Sequence, residues 1–174
     1  MASDVRIPTI IIELQSHVIS TIACGGSFTV AVTGKQNQAP LMIISDFGRV
    51  YSWGCGTHGC LGNGSEEGRA KPELVAALKD DQIVSLAAGH AHVLAASEFR
   101  VFSWGWNASG QLGNGSTVNS LVPLEIESLS GVQILSLSCG YAHSAVLAQL
   151  DVGGSPAYLW GNNDYVRHQH CFIH

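Results

Sequence analysis

Val50-Tyr51-Ser52-Trp53-Gly54 is written again, 51 residues on, as Val101-Phe102-Ser103-Trp104-Gly105. Leu61-Gly62-Asn63-Gly64-Ser65 is likewise written again as Leu112-Gly113-Asn114-Gly115-Ser116. The distance from Trp to Leu is 8 residues in both copies, Trp53 to Leu61 and Trp104 to Leu112. A long internal period with conserved spacing is the signature of stacked repeats, each too small to bury its apolar face alone.

Further landmarks recur around these two. A segment opening with proline appears as Pro8-Thr9-Ile10-Ile11-Ile12, Pro72-Glu73-Leu74-Val75-Ala76 and Pro123-Leu124-Glu125-Ile126-Glu127. A small residue followed by Gly appears as Cys24-Gly25-Gly26, Ala88-Gly89-His90 and Cys139-Gly140-Tyr141. An apolar run follows each, and Trp53, Trp104 and Trp160 close the units. From Trp to the next Gly the spacing is constant (Trp53 to Gly89, Trp104 to Gly140), whereas from Gly to its own Trp it varies. Insertions therefore belong to one hairpin, as expected of a loop on one face of an array.

Each unit holds four short apolar segments punctuated by Gly, Asn, Ser and Pro, which predicts four antiparallel strands. In the third unit these are 123–128, 132–139, 143–149 and 157–160. Pro72 to Leu78 alone has helical character, with Pro in a first-turn position and alanines after it. Its equivalents carry β-branched residues, so a strand is expected at all three. Three units follow, at about 7–54, 71–105 and 122–161, within a repeat region 1–165. The expected class is all-β, a partial propeller of about three four-stranded antiparallel blades, since propeller repeats run about 40–50 residues.

The pattern resembles the regulator of chromosome condensation family. The residues that carry it are Trp104-Gly105-Trp106-Asn107-Ala108-Ser109-Gly110-Gln111-Leu112-Gly113-Asn114-Gly115, with Ala88-Gly89-His90-Ala91-His92 and Cys139-Gly140-Tyr141-Ala142-His143. The resemblance covers about residues 7–165 and implies a seven-bladed ring as the complete fold. Three units are fewer than the smallest usual ring of about four, so the chain reads as part of a ring. After Trp160-Gly161-Asn162-Asn163 the expected Gly-Gln-Leu-Gly is replaced, and His168 stands in the Leu slot. Residues 166–174 read as a tail foreign to the repeat.

Charged residues are 12% of the 174 and apolar ones 46%, which suits strands buried between neighbours and leaves wide apolar faces at the ends of the array. The net charge of −5 and the lack of a Lys/Arg cluster argue against direct nucleic-acid binding. An acidic surface also disfavours anionic membranes, and no segment reaches the roughly 20 apolar residues of a span. There is no secretory signal pattern. The five cysteines lack a disulfide spacing, so a reducing compartment, cytoplasm or nucleus, is expected.

Residues with chemical potential mostly fall on repeat positions. His90 and His92 have i,i+2 strand spacing, but His92 aligns with His143 and Phe28. A ligand is not replaceable by phenylalanine, so a packed ring with nitrogens bonded to backbone is expected. Cys55 and Cys60, with His58 between, align with Trp106 and Gln111 and belong to a variable linker. The tail His168-x-His170-Cys171-x-x-His174 is dense in soft donors but lacks carboxylate support. The Gly-rich linkers lack the Lys and helix of a phosphate loop and read as turns. The repeated tryptophans read as packing anchors. No nucleophile, base and orienter set emerges, and no cofactor is expected.

The chain is therefore expected to be a non-enzymatic protein–protein interaction module. The partner-contact candidates are Trp106, Asn107 and His58 in the linkers, and Leu41 and Met42 in the variable hairpin Thr33–Arg49. The second variable hairpin is Gln149–Pro156. Self-association through exposed blade faces is a further expectation. The alternative that the family implies is guanine-nucleotide exchange on a small GTPase, as its founding member performs. That activity needs only a surface that prefers the nucleotide-free form. Light sensing, as in the family's plant UV-B photoreceptor, would need Trp and Arg after the repeated Gly. Gly26-Ser27-Phe28, His90-Ala91-His92 and Tyr141-Ala142-His143 hold no tryptophan there.

Overall fold

The computed structural model describes residues 7–34, 47–150 and 153–162. Among them eleven strands form three antiparallel sheets. The first holds β1 (Ile19–Cys24), β2 (Phe28–Thr33), β3 (Val50–Gly54) and β4 (Arg69–Leu74). The second holds β5 (Ser85–Ala88), β6 (His92–Ala96), β7 (Val101–Gly105) and β8 (Ser120–Glu125). Among the described residues the third holds β9 (Gln133–Cys139), β10 (His143–Gln149) and β11 (Ala157–Gly161). Each is a meander in chain order, with β1, β5 and β9 adjacent along one side. This is the all-β partial propeller that the repeat predicts. Among the described residues helix is limited to four single 3₁₀ turns, and none is long and apolar enough to cross a membrane.

The register repeats from sheet to sheet. Phe28 faces Gly54, His92 faces Gly105 and His143 faces Gly161 across the strand pairs. The repeated Gly before each of these rings is explained by contact. A methyl group on Gly25, Gly89 or Gly140 would overlap the ring of Phe28, His92 or His143 respectively. The Gly-x-x-ring spacing is thus one tight turn, folded so that the ring lies on the glycine Cα.

The grouping of strands differs from the sequence units. The Pro72 strand closes the first sheet, with Leu74 opposite Tyr51. The Pro123 strand closes the second, with Glu125 opposite Phe102. The four segments 123–128, 132–139, 143–149 and 157–160 are therefore shared between two sheets. The proline-led segment pairs antiparallel with the Trp strand before it, across the linkers 55–68 and 106–119. Pro8-Thr9-Ile10-Ile11-Ile12, expected as a strand, forms none; Ile12–Leu14 is a 3₁₀ turn.

The helical character of Pro72 to Leu78 proves half right. The strand ends at Leu74, and Ala76–Leu78 is a 3₁₀ turn. Equivalent turns occupy Ile12–Leu14 and Glu127–Leu129. In each, an apolar pair three residues apart brackets the turn, and i and i+3 share one side of a 3₁₀ helix. Val75 with Leu78 and Ile126 with Leu129 are almost fully buried.

Two apolar layers lie between the sheets. The first joins Val30, Val32 and Val50 to Leu86, Val93, Ala95 and Trp104. The second joins Leu94, Ala96 and Val101 to Val146 and Ala148, with Leu137 and Trp160 partly buried against them. Trp104 is fully buried, whereas Trp53 and Trp160 are half-buried.

Candidate functional site

In the meander, the β1–β2, β5–β6 and β9–β10 turns and the β3–β4 and β7–β8 linkers share one end of the sheets. The β2–β3 and β10–β11 hairpins, which carry the variable lengths, lie at the other end. Topology therefore separates the contact candidates. Trp106, Asn107 and His58 are at the linker end, while Leu41 and Met42 lie outside the described residues, in a hairpin whose described ends, Gly34 and Phe47, are at the opposite end. The His168–His174 cluster also lies outside the described residues.

At the linker end, four rings from four segments form a strip. His58 is 6.0 Å from Trp106, Trp106 meets Tyr141 edge-on at 6.1 Å, and Tyr141 stacks on His90 at 4.4 Å. These separations are those of favourable aromatic pairs. Tyr141 is 65% exposed, His58 and His90 are exposed, and Trp106 is half-buried. His58 sits in the left-handed region, with φ 61° and ψ 13°, a conformation uncommon for a residue other than glycine. Its Nδ1 lies 3.5 Å from the Asn119 amide nitrogen.

The backbone beneath the strip explains why these positions line up. The Gly26 N–H donates to the His90 carbonyl at 2.9 Å, and the His90 N–H donates to the Tyr141 carbonyl at 3.3 Å. Gly26, His90 and Tyr141 are the equivalent residues that follow the repeated Gly, so one line of hydrogen bonds stitches the three sheets. The side chains at those positions fall in register above it. Sequence reasoning missed His90 and Tyr141 as surface residues. The available signal was variation: the slot after an invariant Gly holds Gly, His and Tyr.

Asn107, expected as a contact residue, is fully buried. Its amide nitrogen donates to Ser116 O at 2.9 Å and Val118 O at 3.0 Å. Its Oδ1 accepts from the Leu112 N–H at 2.9 Å. A side-chain amide satisfied on both ends inside a loop is a brace rather than a recognition group. It holds the linker from which Trp106 projects.

A recess of about 80 Å³ opens beside the strip, lined by Phe28, Cys55, Thr57, His58, Cys60 and His90 among others. Its two thiols differ. Cys55 is exposed, and the Thr57 hydroxyl beside it lowers its pKa. Burial pushes the Cys60 thiol up to about 12, and its Sγ donates to Cys55 O at 3.1 Å. Among the described residues no three of His, Cys, Asp and Glu are grouped so as to hold a metal ion.

His92 is fully buried, as the alignment with Phe28 predicts, and its side-chain partner is a hydroxyl. Its Nε2 lies 3.0 Å from Ser144 Oγ, and that hydroxyl donates to Gln111 O at 2.8 Å. With the serine proton so used, Nε2 carries the hydrogen and the ring is neutral. Burial lowers its pKa to about 4. The tryptophans are joined to the linkers in the same way. Trp160 Nε1 donates to Gln111 O at 2.8 Å, and Ser52 and Ser103 each hold a linker carbonyl, Leu61 O and Leu112 O, at 2.7 Å. The Leu-Gly-Asn-Gly linker, read from sequence as a turn, is also the strap from one sheet to the next.

Comparison with known proteins agrees with this architecture. The Regulator of chromosome condensation (RCC1) repeat matches residues 48–96 and 100–147. Each match starts at a Trp strand and runs through the second strand of the next sheet, so that sequence unit also straddles two sheets. The chain is 34% identical over 165 residues to the Ultraviolet-B receptor UVR8 of Arabidopsis thaliana, covering 94% of this chain and 34% of that protein. It spans about a third of that relative's length. Among solved structures, human WBSCR16 superposes with a TM-score of 0.66 at 26% identity, over 82% of this chain and 33% of that one. Prp20p of Saccharomyces cerevisiae superposes with a TM-score of 0.59 at 22% identity, over 84% of this chain and 33% of that one.

Proposed function

The chain belongs to the Regulator of chromosome condensation (RCC1) repeat family, and from that premise we propose that it is a protein–protein interaction module with no chemistry of its own. The observation that carries this reading is the His58–Trp106–Tyr141–His90 strip. Four rings from separate linkers and turns are held in register by the backbone of three sheets, with Tyr141 65% exposed. Rigid aromatic rings lose little entropy on binding and are over-represented where proteins meet. The strip holds no Lys, Arg, Asp or Glu, which suits an apolar and hydrogen-bonding contact better than an anion. The five cysteines without a disulfide spacing support a reducing compartment, cytoplasm or nucleus, as its location.

The test is capture from cell extract with the chain and its Trp106→Ala/Tyr141→Ala double variant. The expected result is a set of polypeptides retained by the wild type and lost with the variant, whose unfolding midpoint stays close to wild type. An identical set on both would refute the strip as the contact surface.

A second reading is guanine-nucleotide exchange. Prp20p, which shares the fold, is described by its binding to Gsp1p and histones, and exchange requires a binding surface rather than catalytic groups. Release of labelled nucleotide from purified small GTPases separates the two: acceleration by this chain, lost in the double variant, would establish exchange through the same strip.

A further inference from the structure

The first linker folds two thiols into one tight loop. Cys55-Gly56-Thr57-His58-Gly59-Cys60 turns back on itself through Gly59 N–H to Gly56 O at 3.0 Å and Cys60 N–H to Thr57 O at 3.4 Å. His58 and Gly59 make the reversal in the left-handed region, with φ of 61° and 75°. The return brings Cys60 Sγ to 3.1 Å from the Cys55 carbonyl oxygen, so two cysteines five residues apart are in contact. Both line the recess of about 80 Å³ beside His58 and His90.

The two sulfurs are prepared differently. Cys55 is exposed, and its Sγ lies 3.0 Å from Thr57 Oγ1, a hydroxyl that favours the thiolate. Cys60 is buried, which holds it as the thiol, and a charge on Cys55 adds to that effect. In the second linker the equivalent positions are Trp106 and Gln111, so of the two linkers only the first carries the pair. An accessible, thiolate-prone sulfur beside a protected one combines the features of an attacking and a resolving cysteine.

We propose that Cys55 and Cys60 form a reversible redox site, at which a hydroperoxide converts the linker dithiol into an intramolecular disulfide. The Cys55 thiolate attacks the peroxide: an S–O bond forms, the O–O bond breaks, and the leaving oxygen takes a proton. The Cys60 sulfur then attacks the sulfur of the Cys55 sulfenic acid. The S–S bond forms, the S–O bond breaks, and hydroxide departs with the Cys60 proton as water. The dithiol loses an electron pair and the peroxide gains it. The oxidant acts on the chain itself, which turns over no substrate. In a reducing compartment such a disulfide is transient, made by peroxide and undone by thiol exchange.

The loop also carries groups with work elsewhere. The Cys60 carbonyl holds the Trp104 indole, and His58 stands 6.0 Å from Trp106. Oxidation therefore bears on the joint between the first two sheets and on the first ring of the strip. The disulfide itself does not depend on what the strip binds.

The test treats the full chain with limiting hydrogen peroxide at neutral pH, blocks the remaining thiols with iodoacetamide and maps tryptic peptides by mass. Cleavage after Arg49 and Arg69 leaves both cysteines in one peptide, 50–69. That peptide is expected unalkylated and lighter by a pair of hydrogens, and doubly alkylated when dithiothreitol precedes the block. Cys60→Ser is expected to stop at a sulfenic acid on Cys55 that dimedone traps. Thr57→Val, at an exposed position, keeps both sulfurs and is expected to oxidise several-fold more slowly. Peptide 50–69 still doubly alkylated while Cys24 is oxidised would overturn the proposal. So would Cys55 passing to the sulfinic acid with Cys60 free, or Thr57→Val oxidising as fast as wild type.

Discussion

The indole N–H of Trp104 donates to the carbonyl of Cys60 across 3.0 Å, from the second sheet to the linker that leaves the first. The repeated phrases thus meet across sheets: Trp104 is bound at Cys60 and Trp160 at Gln111, each the residue just before the Leu-Gly of the preceding linker. Gly62 follows from this geometry. Its φ is +71°, and a methyl group there would lie 2.8 Å from Trp104 Nε1. Trp104→Ala should cost about 3–5 kcal/mol and Trp104→Phe about 1–2 kcal/mol, through the lost hydrogen bond and volume. Gly62→Ala should cost more than about 1 kcal/mol. Urea unfolding measures all three. A Gly62→Ala variant as stable as wild type would contradict the close approach.

Stability should fall as pH drops from about 6.5 to about 4, because burial holds the folded-state pKa of His92 at about 4 against an ordinary 6.5. Above this window both states are neutral and His92 contributes no pH dependence. Within it the unfolded chain takes up a proton that the folded one refuses, which lowers stability by about 3 kcal/mol in all. His92→Phe, copying the residue at the same place in the first sheet, should remove that slope. Unfolding midpoints of both proteins between pH 7 and pH 4.5 check it; parallel curves would show that His92 is not the group responsible.

Asn107→Ala should destabilise the second linker by about 1–3 kcal/mol, since Ser116 O, Val118 O and the Leu112 N–H lose their common partner. Hydrogen exchange at the Leu112 amide should accelerate more than exchange at β6. Uniform acceleration over the chain would mean that Asn107 acts on global stability rather than on the linker.

Iodoacetamide should modify Cys55 at neutral pH well before Cys60, by about two orders of magnitude, because reactivity follows thiolate fraction and access. Cys55 is exposed with its pKa lowered by Thr57, whereas Cys60 is buried with its pKa near 12. Peptide mass spectrometry over a time course reads the order. Equal rates would show that the recess opens freely.

Hairpin placement and the class of fold were legible because they depend on local pattern: alternation, turn residues and a constant Trp-to-Gly spacing. Strand partnership was not, because pairing is a matter of space. Pro72 and Pro123 look like openings in the written order, yet each strand returns to the tryptophan strand before it. The sequence comparison of His92 with Phe28 correctly predicted a packed ring, but the alignment held no trace of Ser144, 52 residues away. Asn107 was misjudged as a contact residue because a polar linker residue reads as solvated unless its acceptors are known. Tyr141 and His90 escaped notice because their stacking requires two turns to be placed side by side, which only the Gly26–His90–Tyr141 bond line does.

The strap between sheets sets the smallest piece of this protein that can fold unaided. A lone four-stranded sheet would leave its linker carbonyl unclaimed and its tryptophan unseated, since the matching group always belongs to a neighbour. Two adjoining sheets are the minimum that complete one such exchange. Loss of one described sheet should accordingly loosen its neighbour, since the exchange between them is shared.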